Sequence, residues 1–266
     1  MFTILSSYLH QTLSALDFPD NTYNSESFFL SSINNHFAGW YNPSEIPKQI
    51  DFILNNFPIS QQSPILDAAC GHGKHSIELA SRGYNVTGID ISDSLISHLN
   101  TQENHGACFY KSRISEIKEL EKYGLIMVLG NSLSLMPIDE CKESLQKIYK
   151  ATKAGGYVFF QIDNKQEFIT KEANTKNWDF YQNRWLNISE HYYDPKRRLE
   201  LTREIGFDLV EKKIDHFVFV KRLYDLDEFS GIIKSIGFTE IEYWGDWDKS
   251  IFIEGSPTLL VKAKKE

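Results

Sequence analysis

The chain has 266 residues, 41% of them hydrophobic, enough for one large α/β domain or for a core domain with a sizeable insertion. Its formal net charge of −8 argues against a nucleic-acid partner, which would favour a basic surface, and no apolar run is long enough to predict a membrane span. Three widely spaced cysteines and an N-terminus without a secretory pattern favour a cytoplasmic protein with no disulfide framework.

Helix and strand patterns alternate through the first part of the chain. Residues 1–45 are polar and aromatic, and we expect them to form a cap segment. Strands are predicted at 64–68, 85–90, 107–111, 124–130 and 157–162, and helices at 46–57, 74–82, 92–99 and 139–152. Strands separated by helices form a parallel sheet that is covered on both faces. Residues 46–163 are therefore expected to form a cofactor-binding core.

The pattern changes to long strand-like runs in the region 176–224. Three antiparallel strands are predicted at 185–193, 199–209 and 217–223, with Asp194-Pro195 in the first turn. We expect this meander to be an inserted lid and not an independent domain. Residues 225–266 then supply a helix and the last two strands. The predicted fold is a single doubly wound α/β domain with a mostly parallel seven-stranded sheet.

The strongest functional signal is the segment Ile65–Gly73, in which a short strand ends near Asp67 and a glycine-rich turn opens a helix. Glycine allows a positive φ and the close approach of a ligand to the backbone. The N-terminus of the helix presents free N–H groups and a partial positive charge. Such a turn favours an anionic group, for example a phosphate or a carboxylate.

A second signal is Asp90, which stands at the end of the next predicted strand. In doubly wound folds an acidic residue at this place accepts hydrogen bonds from a ribose. A dinucleotide would call for a third glycine at position 76, where this chain has Ser76. An amino-acid-bearing nucleoside fits better, because its ammonium group can face Asp67 while its carboxylate faces the helix turn.

These segments resemble the first two motifs of class I S-adenosylmethionine-dependent methyltransferases, and the resemblance spans residues 46–162. The segments Leu129–Leu133 and Gly155–Asp163 are similar to the fourth- and fifth-strand segments of the glycine/sarcosine N-methyltransferase group. The resemblance implies that S-adenosylmethionine is the cofactor, that S-adenosylhomocysteine is the product, and that the acceptor is a small molecule.

The resemblance also implies a set of cofactor contacts. Asp90 would hold the ribose, and Ile91 would pack beside the adenine. Arg113 departs from the family, which often places an acidic residue or Asn against the adenine amino group. The expected contacts are Trp40, Tyr41, Asp67, Ala69, Cys70, Gly71, Gly73, Asp90, Ile91, Arg113, Ile114, Leu129, Asn131 and Ser132.

Fewer residues are indicated on the acceptor side. Lys165 matches the position of a basic residue that grips the acceptor's carboxylate in glycine-type enzymes. Asn131, Asp163 and His191 are candidates to orient the acceptor or to take up its proton. No metal site is predicted, because the histidine pair at positions 72 and 75 has no third ligand at a suitable spacing.

Several hypotheses about function remain open from the sequence. The first is methylation of a small molecule at an amine or a hydroxyl group. The second is methylation of tRNA or protein, which the acidic charge disfavours, and the third is a non-catalytic S-adenosylmethionine-binding module. The sequence does not define the oligomeric state, and a homo-oligomer is compatible with it.

Overall fold

The computed structural model describes residues 44–181 and 183–266. Most of the expected cap segment, with Trp40 and Tyr41, lies outside the described residues. The helices are α1 Glu45–Asn56, α2 Lys74–Ser81, α3 Asp93–Leu99, α4 Ile138–Ala151, α5 Lys165–Lys171 and α6 Leu226–Ile236. The strands are β1 Ile65–Ala68, β2 Val86–Asp90, β3 Cys108–Lys111, β4 Tyr123–Val128, β5 Thr152–Ile162, β6 Lys176–Tyr181, β7 Trp185–Asp194, β8 Leu199–Asp208, β9 Lys213–Arg222, β10 Thr239–Trp244 and β11 Leu259–Lys264.

Seven strands form the central sheet, in the order β10-β11-β5-β4-β1-β2-β3. Strands β1 to β5 are parallel, whereas β11 runs antiparallel to both of its neighbours. The doubly wound, mostly parallel sheet predicted from the sequence is confirmed. Among the residues that the structure describes, no helix is both long and apolar enough to cross a membrane.

The core lies on both faces of this sheet because successive residues of β4 point in opposite directions. Ile126 and Val128 pack in a cluster with side chains of α4 and α6, whereas Leu125 and Met127 pack with side chains of α1, α2 and α3. Every residue of β4 is buried, as its continuous apolar run predicted. The carboxyl ends of the parallel strands therefore meet at one edge, where doubly wound folds bind their ligands.

A second, antiparallel sheet contains β6, β7, β8 and β9 in that order. The predicted antiparallel meander is confirmed, with its three strands present as β7, β8 and β9. The expected count was one too low, because β6 also belongs to this sheet, and β9 begins at Lys213 instead of Phe217. Residues 176–181 mix aromatic side chains with Lys, Asn and Asp, so their composition does not favour a strand. Helix α5 was missed as well, since it has seven residues and only Phe168 is buried.

The antiparallel sheet contacts the core next to the carboxyl ends of β4 and β5. Strand β9 contacts the 3₁₀ turn Ser132–Leu135, which follows β4. The Lys221 ammonium of β9 lies 2.9 Å from a carboxylate oxygen of Asp163, which follows β5. The fold therefore brings one face of the antiparallel sheet to the edge of the core that doubly wound folds use for ligands.

Candidate active site

A glycine-rich turn connects β1 to α2. Ala69, Gly71 and Gly73 have φ angles of 64°, 53° and 66°, and the N–H group of Cys70 donates to the Ile89 carbonyl at 2.9 Å. A Cβ atom placed on Gly71 would meet no described atom within 4 Å, so a ligand can approach the backbone there. Helix α2 begins beside this turn and adds the partial positive charge of a helix N-terminus. The turn fits an anionic group.

Gly88 of β2 lies close to the Cys70 side chain of this turn. Replacing Gly88 by alanine is expected to destabilise the protein. A Cβ atom at Gly88 would lie 2.6 Å from a ring carbon of the buried Phe109 and 3.0 Å from the sulfur of Cys70. We expect Gly88→Ala to lower the free energy of unfolding by about 1–3 kcal/mol, because the packed core cannot move aside cheaply.

Urea unfolding measures this effect, with Gly231→Ala as the matched control. Gly231 lies in α6, and a Cβ there would meet no described atom within 4 Å. That change is expected to stabilise the helix by about 0.5–1 kcal/mol. Equal midpoints for Gly88→Ala and the wild type would contradict the close packing.

Asp90 at the end of β2 is tied to the glycine turn. Its Oδ2 atom accepts a hydrogen bond from the Gly71 N–H at 2.9 Å, and its Oδ1 atom accepts one from the Ser92 N–H at 2.9 Å. Burial raises the pKa of Asp90, and the N–H groups of Ser92, Gly71 and Ile91 oppose that rise as hydrogen-bond donors. The carboxylate has about four lone-pair sites, so the three N–H donors still leave an acceptor site for a hydroxyl group.

Asp67, the third residue of β1, is only 2% exposed. The Ser76 hydroxyl of α2 donates to its Oδ2 atom at 2.6 Å, and the Ser76 backbone N–H is a further donor. Burial raises the pKa of Asp67 to about 6, against the effect of these hydrogen bonds. Sequence reasoning treated Ser76 only as a missing glycine, whereas the structure shows it anchoring the carboxylate.

The segment after β3 runs alongside the end of β2. The Ser112 N–H donates to the Asp90 carbonyl at 3.0 Å, which brings Arg113 and Ile114 close to the partly exposed Ile91. The guanidinium group of Arg113 lies 3.5 Å from a carboxylate oxygen of Glu140 in α4. Ile114 is buried in the core. The Arg113 side chain thus points toward α4.

The loop after β4 presents several polar groups at the sheet edge. The Gly130 N–H donates to the side-chain oxygen of Gln161, and the Ser132 hydroxyl donates to the Leu129 carbonyl at 2.9 Å. Asn131 has a φ of 63° and donates from Nδ2 to Oδ1 of Asp163. Its own Oδ1 atom is buried and has no hydrogen-bond partner among the described residues. The Asn131 side chain therefore has one hydrogen-bond acceptor that no described group uses.

Asn131, Asp163 and His191 are linked by two residues that sequence reasoning missed, Lys221 and Glu200. The Lys221 ammonium lies 2.9 Å from Oδ2 of Asp163 and 2.9 Å from Oε2 of Glu200. Glu200 in turn lies 3.7 Å from Nδ1 of His191. Pairing the predicted strands β8 and β9 in register would have indicated this contact, because it places Lys221 opposite Glu200.

Lys165 does not join this network. Its ammonium contacts both carboxylate oxygens of Asp225, at 2.7 and 2.9 Å. An acceptor carboxylate would have to displace Asp225 in order to be gripped by Lys165. The geometry therefore gives no separate support to Lys165 as a substrate-binding residue.

His75 contacts a side chain of α1 instead of a metal ligand, since its Nε2 atom lies 2.7 Å from Oε1 of Gln49. Within residues 44–181 and 183–266, no group of three His, Cys, Asp or Glu side chains is arranged to hold a metal ion.

Comparison with known proteins identifies a methyltransferase domain in this chain. A family model described as a methyltransferase domain matches residues 65–156. A Geobacillus sp. (strain WCH70) protein assigned to the methyltransferases is 23% identical over 76% of this chain and 84% of its own. The glycine/sarcosine N-methyltransferase of Aphanothece halophytica is 20% identical over 81% of each chain. The CcbJ methyltransferase of Streptomyces caelestis shares the fold, with a TM-score of 0.76, 15% identity, and coverage of 93% of this chain and 99% of that chain. The chain therefore contains a methyltransferase domain and shares its fold with S-adenosylmethionine-dependent methyltransferases.

Proposed function

We propose that this enzyme methylates a small polar molecule, at an amine or a hydroxyl group. The acceptor would bind between the carboxyl ends of β4 and β5 and the antiparallel sheet. The observation that supports this proposal is the hydrogen-bonded series Asn131–Asp163–Lys221–Glu200, which joins the two sheets at that place. Polar side chains that converge in a crevice favour a polar ligand.

The residues present fit the cofactor. The turn around Gly71 would receive its carboxylate, and Asp67 would face its ammonium group. The Asp90 carboxylate keeps an acceptor site for a ribose hydroxyl. The buried and unpaired Oδ1 atom of Asn131 is a further acceptor next to this crevice. When bound, S-adenosylmethionine supplies a methyl group that its positively charged sulfur activates for transfer.

The chain's own contribution would be to position the acceptor and to exclude water. Asp163 holds the side chain of Asn131, and Lys221 holds Asp163 in turn. This arrangement would keep Asn131 in one orientation beside the acceptor, which matters because transfer requires a well-aligned approach at about 3–3.5 Å. The antiparallel sheet would cover the acceptor and keep water away.

The ribose assignment of Asp90 provides the test of this function. We expect Asp90→Ala to weaken binding of S-adenosylmethionine by about 1.5–3 kcal/mol, or roughly 10- to 150-fold, because a charged hydrogen-bond partner is lost. Isothermal titration calorimetry measures the affinity.

Asp93→Ala is the matched control, because Asp93 is a surface carboxylate in the first turn of α3 with a side chain that is 74% exposed. It is expected to bind the cofactor as the wild type does. Unchanged affinity in Asp90→Ala would refute the ribose assignment. Wild-type protein that binds NAD in place of S-adenosylmethionine would refute the proposed function.

A further inference from the structure

One face of the antiparallel sheet carries seven polar residues, which we call the polar face: Asn187, Ser189, His191, Glu200, Thr202, Glu204 and Lys221. Residues that lie opposite each other in an antiparallel pair share a face. His191 pairs with Thr202, Ser189 pairs with Glu204, and Lys221 pairs with Glu200. The end of the polar face that carries Lys221 meets Asp163 of the core.

Two carboxylates at this end are neutralised by a cation of the chain. The Lys221 ammonium lies 2.9 Å from both the Asp163 and the Glu200 carboxylates. Glu200 also accepts a hydrogen bond from the Thr202 hydroxyl at 2.6 Å. Burial raises the pKa of Glu200, but His191, Lys221 and Thr202 outweigh burial and hold the pKa below its usual value. Glu200 is therefore a stabilised carboxylate.

Glu204, two residues farther along the same face than Thr202, is different. Its side chain is buried, with 3% of the residue exposed, and its Oε2 atom has no hydrogen-bond partner among the described residues. Asn187 donates a hydrogen bond to the carboxyl group, but burial dominates and raises the pKa of Glu204 to about 7. A buried carboxyl group with an unpaired oxygen is costly unless a cation or donor reaches it.

Resting on the function proposed above, we propose that Glu204 binds an ammonium group of the methyl acceptor, so that the acceptor is a cationic molecule and not a neutral one; the atom that takes the methyl group is a separate one that keeps a free lone pair. An ammonium group would donate the hydrogen bond that Oε2 of Glu204 lacks. It would also place a positive charge beside Glu204, as Lys221 does beside Asp163 and Glu200. A charge-assisted hydrogen bond of this kind is stronger than one between neutral groups. A neutral hydroxyl group would supply a donor to Glu204 but no positive charge.

The test uses the full chain saturated with S-adenosylhomocysteine. The probes are ethanolamine and glucosamine, each compared with its neutral counterpart, ethylene glycol or glucose. Dissociation constants are measured by calorimetry for the wild type, for Glu204→Gln and for the control Glu190→Gln. Glu190 lies on the opposite face of the same sheet, where it is ion-paired with Lys176 at 2.7 Å.

We expect at least one amine to bind the wild type and Glu190→Gln at least 10-fold more tightly than its neutral counterpart. This preference should disappear in Glu204→Gln and persist in Glu204→Asp, which keeps the charge. The proposal is overturned if Glu204→Gln retains the preference, or if the wild type binds S-adenosylhomocysteine but prefers no amine. Failure of the wild type to bind S-adenosylhomocysteine would instead refute the proposed function.

Discussion

Replacing Lys221 by methionine is expected to lower the free energy of unfolding by about 3 kcal/mol, the lower end of the range for removing one partner of a buried ion pair. Lys221 balances two carboxylates, and Glu200 is only 1% exposed while Asp163 is 25% exposed at its side chain. Methionine fills a similar volume but leaves both carboxylates without their shared cation. Burial lowers the pKa of Lys221, yet the charges of Asp163 and Glu200 outweigh it and hold the ammonium protonated.

Urea unfolding of Lys221→Met measures this loss, and Lys221→Arg should recover most of it because arginine keeps the charge. The matched control is Lys176→Met, which removes a lysine of the same sheet whose side chain is 61% exposed. An exposed ion pair contributes at most about 1 kcal/mol. Similar losses in Lys221→Met and Lys176→Met would show that the network does not hold the two sheets together.

Replacing Asp67 by asparagine is expected to stabilise the ligand-free protein at pH 8 by about 2–3 kcal/mol. Burial raises the pKa of Asp67 from 3.8 to about 6, and a tenfold change in a protonation equilibrium corresponds to about 1.4 kcal/mol. Because the pKa of Asp67 is higher in the folded protein than in the unfolded chain, the folded protein binds more protons between pH 3.8 and about pH 6. The stability contribution of the protonated group is complete below pH 3.8 and is lost as the pH rises through 6.

The gain in Asp67→Asn should therefore be present at about pH 8 and absent near pH 4, which urea unfolding at both values would measure. Asp93→Asn, a change at the surface carboxylate of α3, is the control and should show no such pH dependence. Equal stability of Asp67→Asn and the wild type at both pH values would contradict the penalty for burying the carboxylate. The variant should also bind S-adenosylmethionine more weakly, because Asp67 would no longer attract the ammonium group.

Asp67 thus illustrates a balance between stability and binding. The ligand-free fold is destabilised by burying this carboxylate, and Ser76 offsets only part of that cost. A cationic ligand group would offset more of it. Functional sites commonly retain groups that destabilise the free protein in this way.

Most of the central sheet was predictable from the sequence because its signals are local. Continuous apolar runs identify buried parallel strands, and β4 follows this rule over its whole length. Glycines mark the turn after β1, where Gly71 and Gly73 have positive φ angles. The position of Asp90 at a strand end was sufficient to place it beside that turn, since parallel strands end at a common edge.

The composition of the antiparallel sheet did not indicate all of its strands. Strand β6 carries Trp178 and Phe180 at exposed positions, beside polar residues that disfavour strands. Its strand structure is therefore stabilised by pairing with β7 along its whole length. Such pairing depends on residues distant in the chain, which a local pattern does not contain.

The sequence by itself determined the order of strands and helices within residues 46–163, the glycine turn and the acidic strand end, because each depends on residues that are close together in the chain. Only the tertiary structure decided which charges neutralise one another. Lys221 meets Asp163 and Glu200, Lys165 meets Asp225, and Ser76 supports Asp67. An ion pair depends on distance in space, and these partners are separated by as many as 60 residues along the chain. The tertiary structure also sets the register of the antiparallel sheet. That register places Glu204 on the polar face, with one carboxylate oxygen unpaired among the described residues.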